Sequence, residues 1–154
     1  MMNKMTASIE KISKKYQKFI VENVISKKEI RINSENLIDF MYFMKNDSDL
    51  KYDILCDHTV VDWVNNNSFD LVYNLYSTEY KNYIIISTTI PRNKPIINTV
   101  SGIWRIAEWQ EREAYDFFGV LYTDHKDLRR LFLEDDWIGF PLRKDYKDNF
   151  MLEM

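Results

Sequence analysis

The chain reads as an α+β, two-layer fold: a mixed or antiparallel sheet of about four to five strands packed by three helices, with an extended, charged C-terminal arm. Three observations predict it. Apolar residues recur at three- and four-residue steps in separated stretches, as amphipathic helices require. Between the later two stretches, β-branched and aromatic runs are joined by short polar turns, the pattern of an antiparallel meander. The order helix, strand, helix, strands, helix is segregated rather than strictly alternating.

Ile9, Ile12, Tyr16, Phe19, Ile20 and Val24 define a first helix, with lysines mostly between them. A short strand follows at about Glu29 to Ile32. Asn33 or Ser34 is placed to cap a second helix carrying Leu37, Ile38, Met41 and Met44, which the polar run 46–49 ends. Residues 52–63 read as a strand and 65–68 as a turn, since asparagine tolerates left-handed backbone. Residues 69–77 form the next strand, with Leu71, Tyr73 and Leu75 on one face. Residues 83–90 are the clearest strand of all. Pro91 to Pro95 make a stiff connector. Ser101 opens a third helix that runs to about Phe118 and stops at Gly119, a natural residue for ending a helix. Beyond Tyr122 periodicity fades, yet Trp137, Phe140 and Pro141 are anchors a disordered tail rarely carries. The expected organisation is one domain, with a core at 1–122 and a partner-docking arm at 123–154.

A chain of 154 residues suffices for one full core. Its net charge of −3 argues against non-specific nucleic-acid binding. A single cysteine, Cys56, excludes an intrachain disulfide and fits a reducing compartment. No stretch approaches the roughly eighteen apolar residues of a membrane span, and Lys11, Lys14, Lys15 and Lys18 break any secretory signal. Aromatic residues make up 15%, more than a small core requires, and such residues are enriched at protein interfaces.

The densest chemistry lies between Trp104 and Gly119. On a helix, Glu108, Arg112 and Asp116 stand one above another, which predicts Arg112 between two carboxylates. Glu111 and Tyr115 flank that row, and Glu113 falls on another face near Trp109. The surplus carboxylates need partners if the helix is packed. Arg129, Arg130, Arg143 and Lys144 supply cations on a segment able to fold back over it. Helix and arm thus read as one charge-compensated unit, against the blander alternative of a solvated face with weak surface pairs. Glu111 and Glu113 make a poor acid–base pair, because positions two apart point to different sides of a helix. Cys56 and His58 share a strand face but lack the further ligands zinc needs; a buried Cys beside a hydrogen-bonded His is the simpler expectation. His125 is expected to cap or bond locally. Asp135-Asp136 resembles a loop or helix start. No phosphate loop, nucleophile elbow or cysteine cluster is present, so no cofactor or metal is expected on this chain.

Glu111-Arg-Glu-Ala-Tyr-Asp-Phe-Phe-Gly119, His125-Lys-Asp-Leu-Arg-Arg-Leu131 and Asp136-Trp-Ile-Gly-Phe-Pro-Leu-Arg-Lys-Asp-Tyr146 together resemble the signature of the C subunit of NADH–quinone oxidoreductase, respiratory complex I (the 30-kDa subunit family). Tyr52-Asp-Ile-Leu-Cys-Asp57, Val61-Asp-Trp63 and the run 69–77 resemble it too, so the likeness spans roughly residues 37–150. Lys126 stands where the family usually has proline and Phe140 where it often has histidine, and the chain stops at Met154 where many relatives carry a longer tail. The resemblance implies a non-catalytic scaffold subunit of the peripheral arm, in an enzyme of EC 7.1.1 type that couples electron transfer to quinone with proton translocation. It implies no catalytic, cofactor or metal residues here, the iron–sulfur clusters, flavin and quinone being on other subunits. The implied partners are the large D subunit and the iron–sulfur B and I subunits, with the membrane reached only through them. The implied location is the cytoplasmic side of a bacterial inner membrane, or the matrix side of the mitochondrial inner membrane for an organelle-encoded chain. The expected interface cluster is Glu108, Trp109, Glu111, Arg112, Glu113, Asp116, His125, Arg129, Arg130, Trp137, Pro141, Leu142, Arg143, Lys144 and Asp145. The alternatives are the equivalent subunit of a membrane-bound hydrogenase or of an NDH- or F420H2-dehydrogenase-type complex. A different class, a small hydrolase or transferase using Glu111, Glu113 and His125, predicts a pocket that joins those side chains.

Overall fold

A computed structural model describes residues 12–26 and 29–148. Its main sheet has five strands: β1 (Ile20–Ser26), β2 (Glu29–Ile32), β3 (Ile54–Trp63), β4 (Ser68–Ser77) and β5 (Asn82–Pro91), in the order β1-β2-β5-β4-β3. The β3-β4-β5 meander is antiparallel, and β2 runs parallel to β5, so the sheet is mixed. Two helices, α1 (Leu37–Asn46) and α2 (Ala107–Phe118), contribute buried side chains to the same core as the inner row of β4. That row is Phe69, Leu71, Tyr73 and Leu75, all fully buried, paired with Ile90, Thr88, Ile86 and Ile84 of β5. Burying each such apolar side chain contributes about 1.5–3 kcal/mol. The opposite face carries a polar lattice: Asp70 accepts bonds from Arg31, from the Thr89 hydroxyl and from the Trp63 indole.

The α+β reading holds, with corrections at the ends of elements. The predicted first helix is helical at 12–15 and turns at 17–19, but from Ile20 the chain is β1, paired with β2. Its β-branched residues suit a strand, and edge pairing overrides the helical spacing. Ile9 lies outside the described residues. α1 is entered through a short 3-10 turn (Ser34–Asn36), and neither Asn33 nor Asn36 caps with its side chain. Asn67 takes the left-handed conformation (φ 49°) that the turn before β4 demands.

The third helix begins at Ala107, not Ser101. Residues 101–106 form turns because their neighbourhood is claimed elsewhere: the Val100 N–H bonds the Glu111 carboxylate, and the Trp104 indole N–H bonds the Tyr52 carbonyl. A second small sheet pairs β6 (Ile96–Asn98) with β7 (Leu121–Thr123) in parallel. At three residues each, these strands are too short to show periodicity. They matter because they lock residues 99–100 over α2 and bring Tyr122 to β3.

Gly119 ends α2 with φ 74°, as expected of a glycine at that place. It has a second reason to be glycine: a Cβ there would collide with the ring of Phe140, which the arm seats directly on the helix end.

Candidate functional site

The site is the seam between α2 and the segment 124–148. α2 packs against β3 and turns Glu111, Arg112, Ala114 and Asp116 inward. The arm then wraps its carboxylates and guanidinium.

Asp116 is the centre of the first contact. Its side chain is 0% exposed; Oδ1 takes a bond from Arg130 at 2.8 Å, and Oδ2 accepts the consecutive N–H groups of Leu131, Phe132 and Leu133 at 2.9, 2.7 and 3.0 Å. Burial alone would raise its pKa, but those N–H bonds and Arg130 outweigh it and hold the carboxyl below its usual range. Arg130 also donates to the carbonyls of Trp137 and Gly139, folding the arm around its own guanidinium.

Arg112 does not lie between Glu108 and Asp116. It stacks on Trp109 and donates to the carbonyls of Arg129 and Arg130, with Asp127 3.7 Å away. Helix spacing set the row correctly, but the arm offers carbonyls that need donors, and Asp116 is already filled by N–H groups. Glu108 is half-buried and Glu113 exposed; neither has a cation partner among the described residues.

Glu111 is fully buried. Its carboxyl accepts the Val100 N–H at 2.7 Å and is bonded to the Thr99 hydroxyl. Burial pushes its pKa up to about 7 despite those bonds. His125, the first ring of the arm, lies 3.8 Å from it, with its side chain 1% exposed. His125 bonds locally with one ring nitrogen, as expected, and reaches back to α2 with the other. Its Nε2–H donates to the Glu108 carbonyl, and Nδ1 accepts the Asp127 N–H.

The far end of the arm is held by residues that spacing alone did not single out. Asp62, with a side chain 1% exposed, is bonded by Arg92 at 2.8 Å and accepts the Lys144 N–H at 2.9 Å. Arg92 also bonds Asp145. A signal existed: Asp62 continues the inward alternation of His58 and Val60, and an inward carboxylate must find a cation. Arg143 donates to the Phe118 carbonyl at 2.7 Å and stacks between Phe69 and Phe140. Lys144 lies over the Trp63 ring. Leu142 bonds the Phe117 carbonyl through its N–H, Pro141 is half-buried, and Arg129 pairs among the described residues with Asp127 at the surface.

Cys56 and His58 do not share a face. A register shift between Leu55 and Asp57 leaves Cys56 exposed and His58 buried. His58 stacks on Tyr73, donates from Nδ1 to the Val72 carbonyl and accepts the Tyr122 hydroxyl at Nε2. Burial pushes its pKa down to about 4. Among the described residues no cluster of three His, Cys, Asp or Glu side chains is placed to hold a metal, and no helix is long and apolar enough to cross a membrane. Glu113 is exposed where Glu111 is buried, and the cavity lined by His125 includes neither of the two glutamates.

Alongside exposed charges such as Glu113, Lys126 and Glu134, several large apolar side chains face outward. Phe132 and Ile138 are 63% and 88% exposed, and Leu142, Trp109 and Ile106 project as well. The model of the family described as respiratory-chain NADH dehydrogenase, 30 Kd subunit, matches residues 30–149. The chain belongs to this family. It is similar to the NADH-quinone oxidoreductase C subunit of Geotalea uraniireducens, 37% identical over 142 residues, covering 90% of this chain and 85% of that one. The C subunit of Geobacter metallireducens is 40% identical, covering 76% and 72%. A family relative from Phocaeicola vulgatus carries the name of a C/D subunit, 41% identical over 78% of this chain and 23% of its own length. Among solved structures, a chain of an archaeal membrane-bound sulfane sulfur reductase, a respiratory membrane complex, superposes with a TM-score of 0.78 at 27% identity, covering 92% of this chain and 84% of that one. The fold is also that of the trypsin-resistant fragment of Nqo5, with a TM-score of 0.64 at 22% identity over 83% of this chain and 100% of the fragment.

Proposed function

We propose that the chain is a non-catalytic scaffold subunit of the peripheral arm of a proton-translocating NADH–quinone oxidoreductase. The observation that carries this is the arm itself. Buried Arg112 and Asp116, with Arg130 of the arm, find their partners within the chain, while Phe132, Ile138 and Leu142 face outward from a backbone that those bonds tie to α2. Such a pre-ordered apolar crest suits a partner surface, because little entropy remains to be lost on docking. The large D subunit is the first partner to expect, and the relative whose name joins C and D supports that association. The iron–sulfur B and I subunits complete the proposed neighbourhood. Iron–sulfur clusters, flavin and quinone belong on other subunits in this reading, and residues 123–154 serve as the docking arm. Membrane attachment is indirect, on the cytoplasmic side in a bacterium or the matrix side in a mitochondrion.

The test is recovery of the tagged full-length chain from native membranes, with mass spectrometry of what accompanies it. Large-subunit, iron–sulfur and NADH-oxidising subunits together support the proposal. Recovery of the chain alone overturns it. A second reading, the equivalent subunit of another respiratory membrane complex, is favoured by the sulfane sulfur reductase superposition; it predicts a large-subunit partner without NADH-oxidising subunits. Ile138→Asp and Phe132→Asp are sharper probes than truncation, since removing the arm would strip Arg112 and Asp116 of their partners.

A further inference from the structure

The buried Glu111–His125 pair sits at the root of the arm, beneath the surface and away from the apolar crest. Three features of its geometry bear on what it does. First, Glu111 has no cation partner among the described residues: its carboxyl meets only the Val100 N–H, the Thr99 hydroxyl and, at 3.8 Å, the His125 ring. Second, the Thr99 oxygen lies within bonding distance of both Glu111 and the Ser101 hydroxyl, the latter at 2.7 Å, and it accepts the Ser101 N–H. One hydroxyl hydrogen cannot serve both neighbours. With Glu111 protonated, the carboxyl donates to Thr99 and Thr99 to Ser101. With Glu111 ionised, Ser101 donates to Thr99 and Thr99 to the carboxylate. Both charge states fit without moving a heavy atom, and half-buried Ser101 links the chain toward solvent.

Third, the two ring nitrogens of His125 have opposite roles. Nε2 must carry a hydrogen to bond the Glu108 carbonyl, and Nδ1 must be bare to accept the Asp127 N–H. An imidazolium has a hydrogen on both. Protonating His125 therefore sets two N–H groups face to face and breaks the 125–127 turn. Asp127 is also the carboxylate beside Arg112 and Arg129, so the turn leads directly into the clasp on α2.

We propose that Glu111 and His125 form a protonation-controlled latch: a neutral His125 keeps the root of the arm closed, and its protonation, balanced by the Glu111 carboxylate, opens it. His125 takes a proton from solvent at its bare Nδ1 as the turn parts, Glu111 holds the ionised form that Thr99 and Ser101 accommodate, and the pair ends as carboxylate and imidazolium with one proton gained. The other groups facing the pair are few. Glu108 and Arg112 come from α2, Tyr122 from β7, Tyr73 from β4, and Lys126 and Asp127 from the arm; His58 of β3 stands behind Tyr122. None of these cations touches Glu111, which leaves His125 as its nearest available counter-charge.

The latch bears on docking only if the arm is the docking element, but its test needs no partner. Amide hydrogen exchange of the purified full-length chain is followed between about pH 5 and 8, corrected for intrinsic chemistry, with imidazole 15N shifts recorded alongside. Exchange at residues 127 and 131–133 should be about tenfold faster at the acid end, in step with His125 protonation. His125→Asn retains an acceptor for the Asp127 N–H and does not titrate, so it should hold exchange slow throughout. Glu111→Gln removes the counter-charge and should move the midpoint to lower pH. Exchange that ignores pH in the unaltered chain, or acid opening that persists in His125→Asn, overturns the latch. An unchanged midpoint in Glu111→Gln removes Glu111 from it; if that variant does not fold, the His125→Asn comparison still decides. A negative result leaves the scaffold role standing, and failed partner recovery leaves the latch standing.

Discussion

Asp116 Oδ1 and Arg130 Nη1 meet at 2.8 Å over the C-terminal half of α2, and the second oxygen of the same carboxylate takes three successive arm N–H groups. This one side chain therefore both neutralises a cation and dictates the course of residues 131–133. Asp116→Asn keeps the shape but loses the charge and turns one end into a donor. It should destabilise the chain by about 3 kcal/mol, the scale of an unpaired buried ionic partner. Chemical denaturation checks this, with accelerated exchange at 131–133 as the local sign.

Arg112 contributes geometry as well as charge. Its fork reaches the Arg129 and Arg130 carbonyls together, and lysine has no such fork. Arg112→Lys is expected to lose one of those bonds, at about 1–3 kcal/mol. In cells, Arg112→Ala should lower the amount of assembled complex while each complex that forms turns over nearly normally. Quantifying assembled complex beside its activity separates the two; normal assembly with slow electron transfer would show a direct mechanistic role instead.

The distal clasp is separable from the proximal one. Arg92→Ala leaves the Asp62 carboxylate buried with only the Lys144 N–H to satisfy it. A loss of about 2–4 kcal/mol is expected, with faster exchange at 143–146 and unchanged exchange at 131–133. Equal loosening at both places would mean that the arm is one cooperative unit.

Stability against pH should carry two opposed signatures. While His125 is neutral and the arm closed, Glu111, raised from 4.5 to about 7, favours the folded state below pH 4.5, and that contribution is lost as pH rises through 7. His58, lowered from 6.5 to about 4, destabilises as pH falls from 6.5 toward 4, because only the unfolded chain takes up the proton. Each displacement corresponds to about 3 kcal/mol. Between about pH 4.5 and 6.5 the two cancel, giving a flat profile that declines above 6.5. In Glu111→Gln the cancellation is gone, so stability should climb from pH 4 to 6.5 and then level off. Thermal melts across that range test it; carboxyls held low, such as Asp116, act at more acid pH.

The local pattern of the chain determined a good deal. Strict alternation over Leu71, Tyr73 and Leu75, the Asn67 turn and the Gly119 stop each answer to backbone and burial rules that operate within a few residues. The charge surplus on α2 and the cations downstream also announced that helix and arm belong together. Tertiary structure decided what no local rule reaches. The stretch from Ile20 is a strand because β2 lies beside it, and β6 and β7 exist only because each supplies the other's hydrogen bonds. Arg112 and Asp116 traded their expected partner for arm backbone, and Asp62 found Arg92 thirty residues away. Spacing along one helix names which side chains are neighbours. Which donor finally fills a buried acceptor depends on what another segment brings to it, and burial makes that choice strict, because an unfilled polar group inside costs more than any local preference.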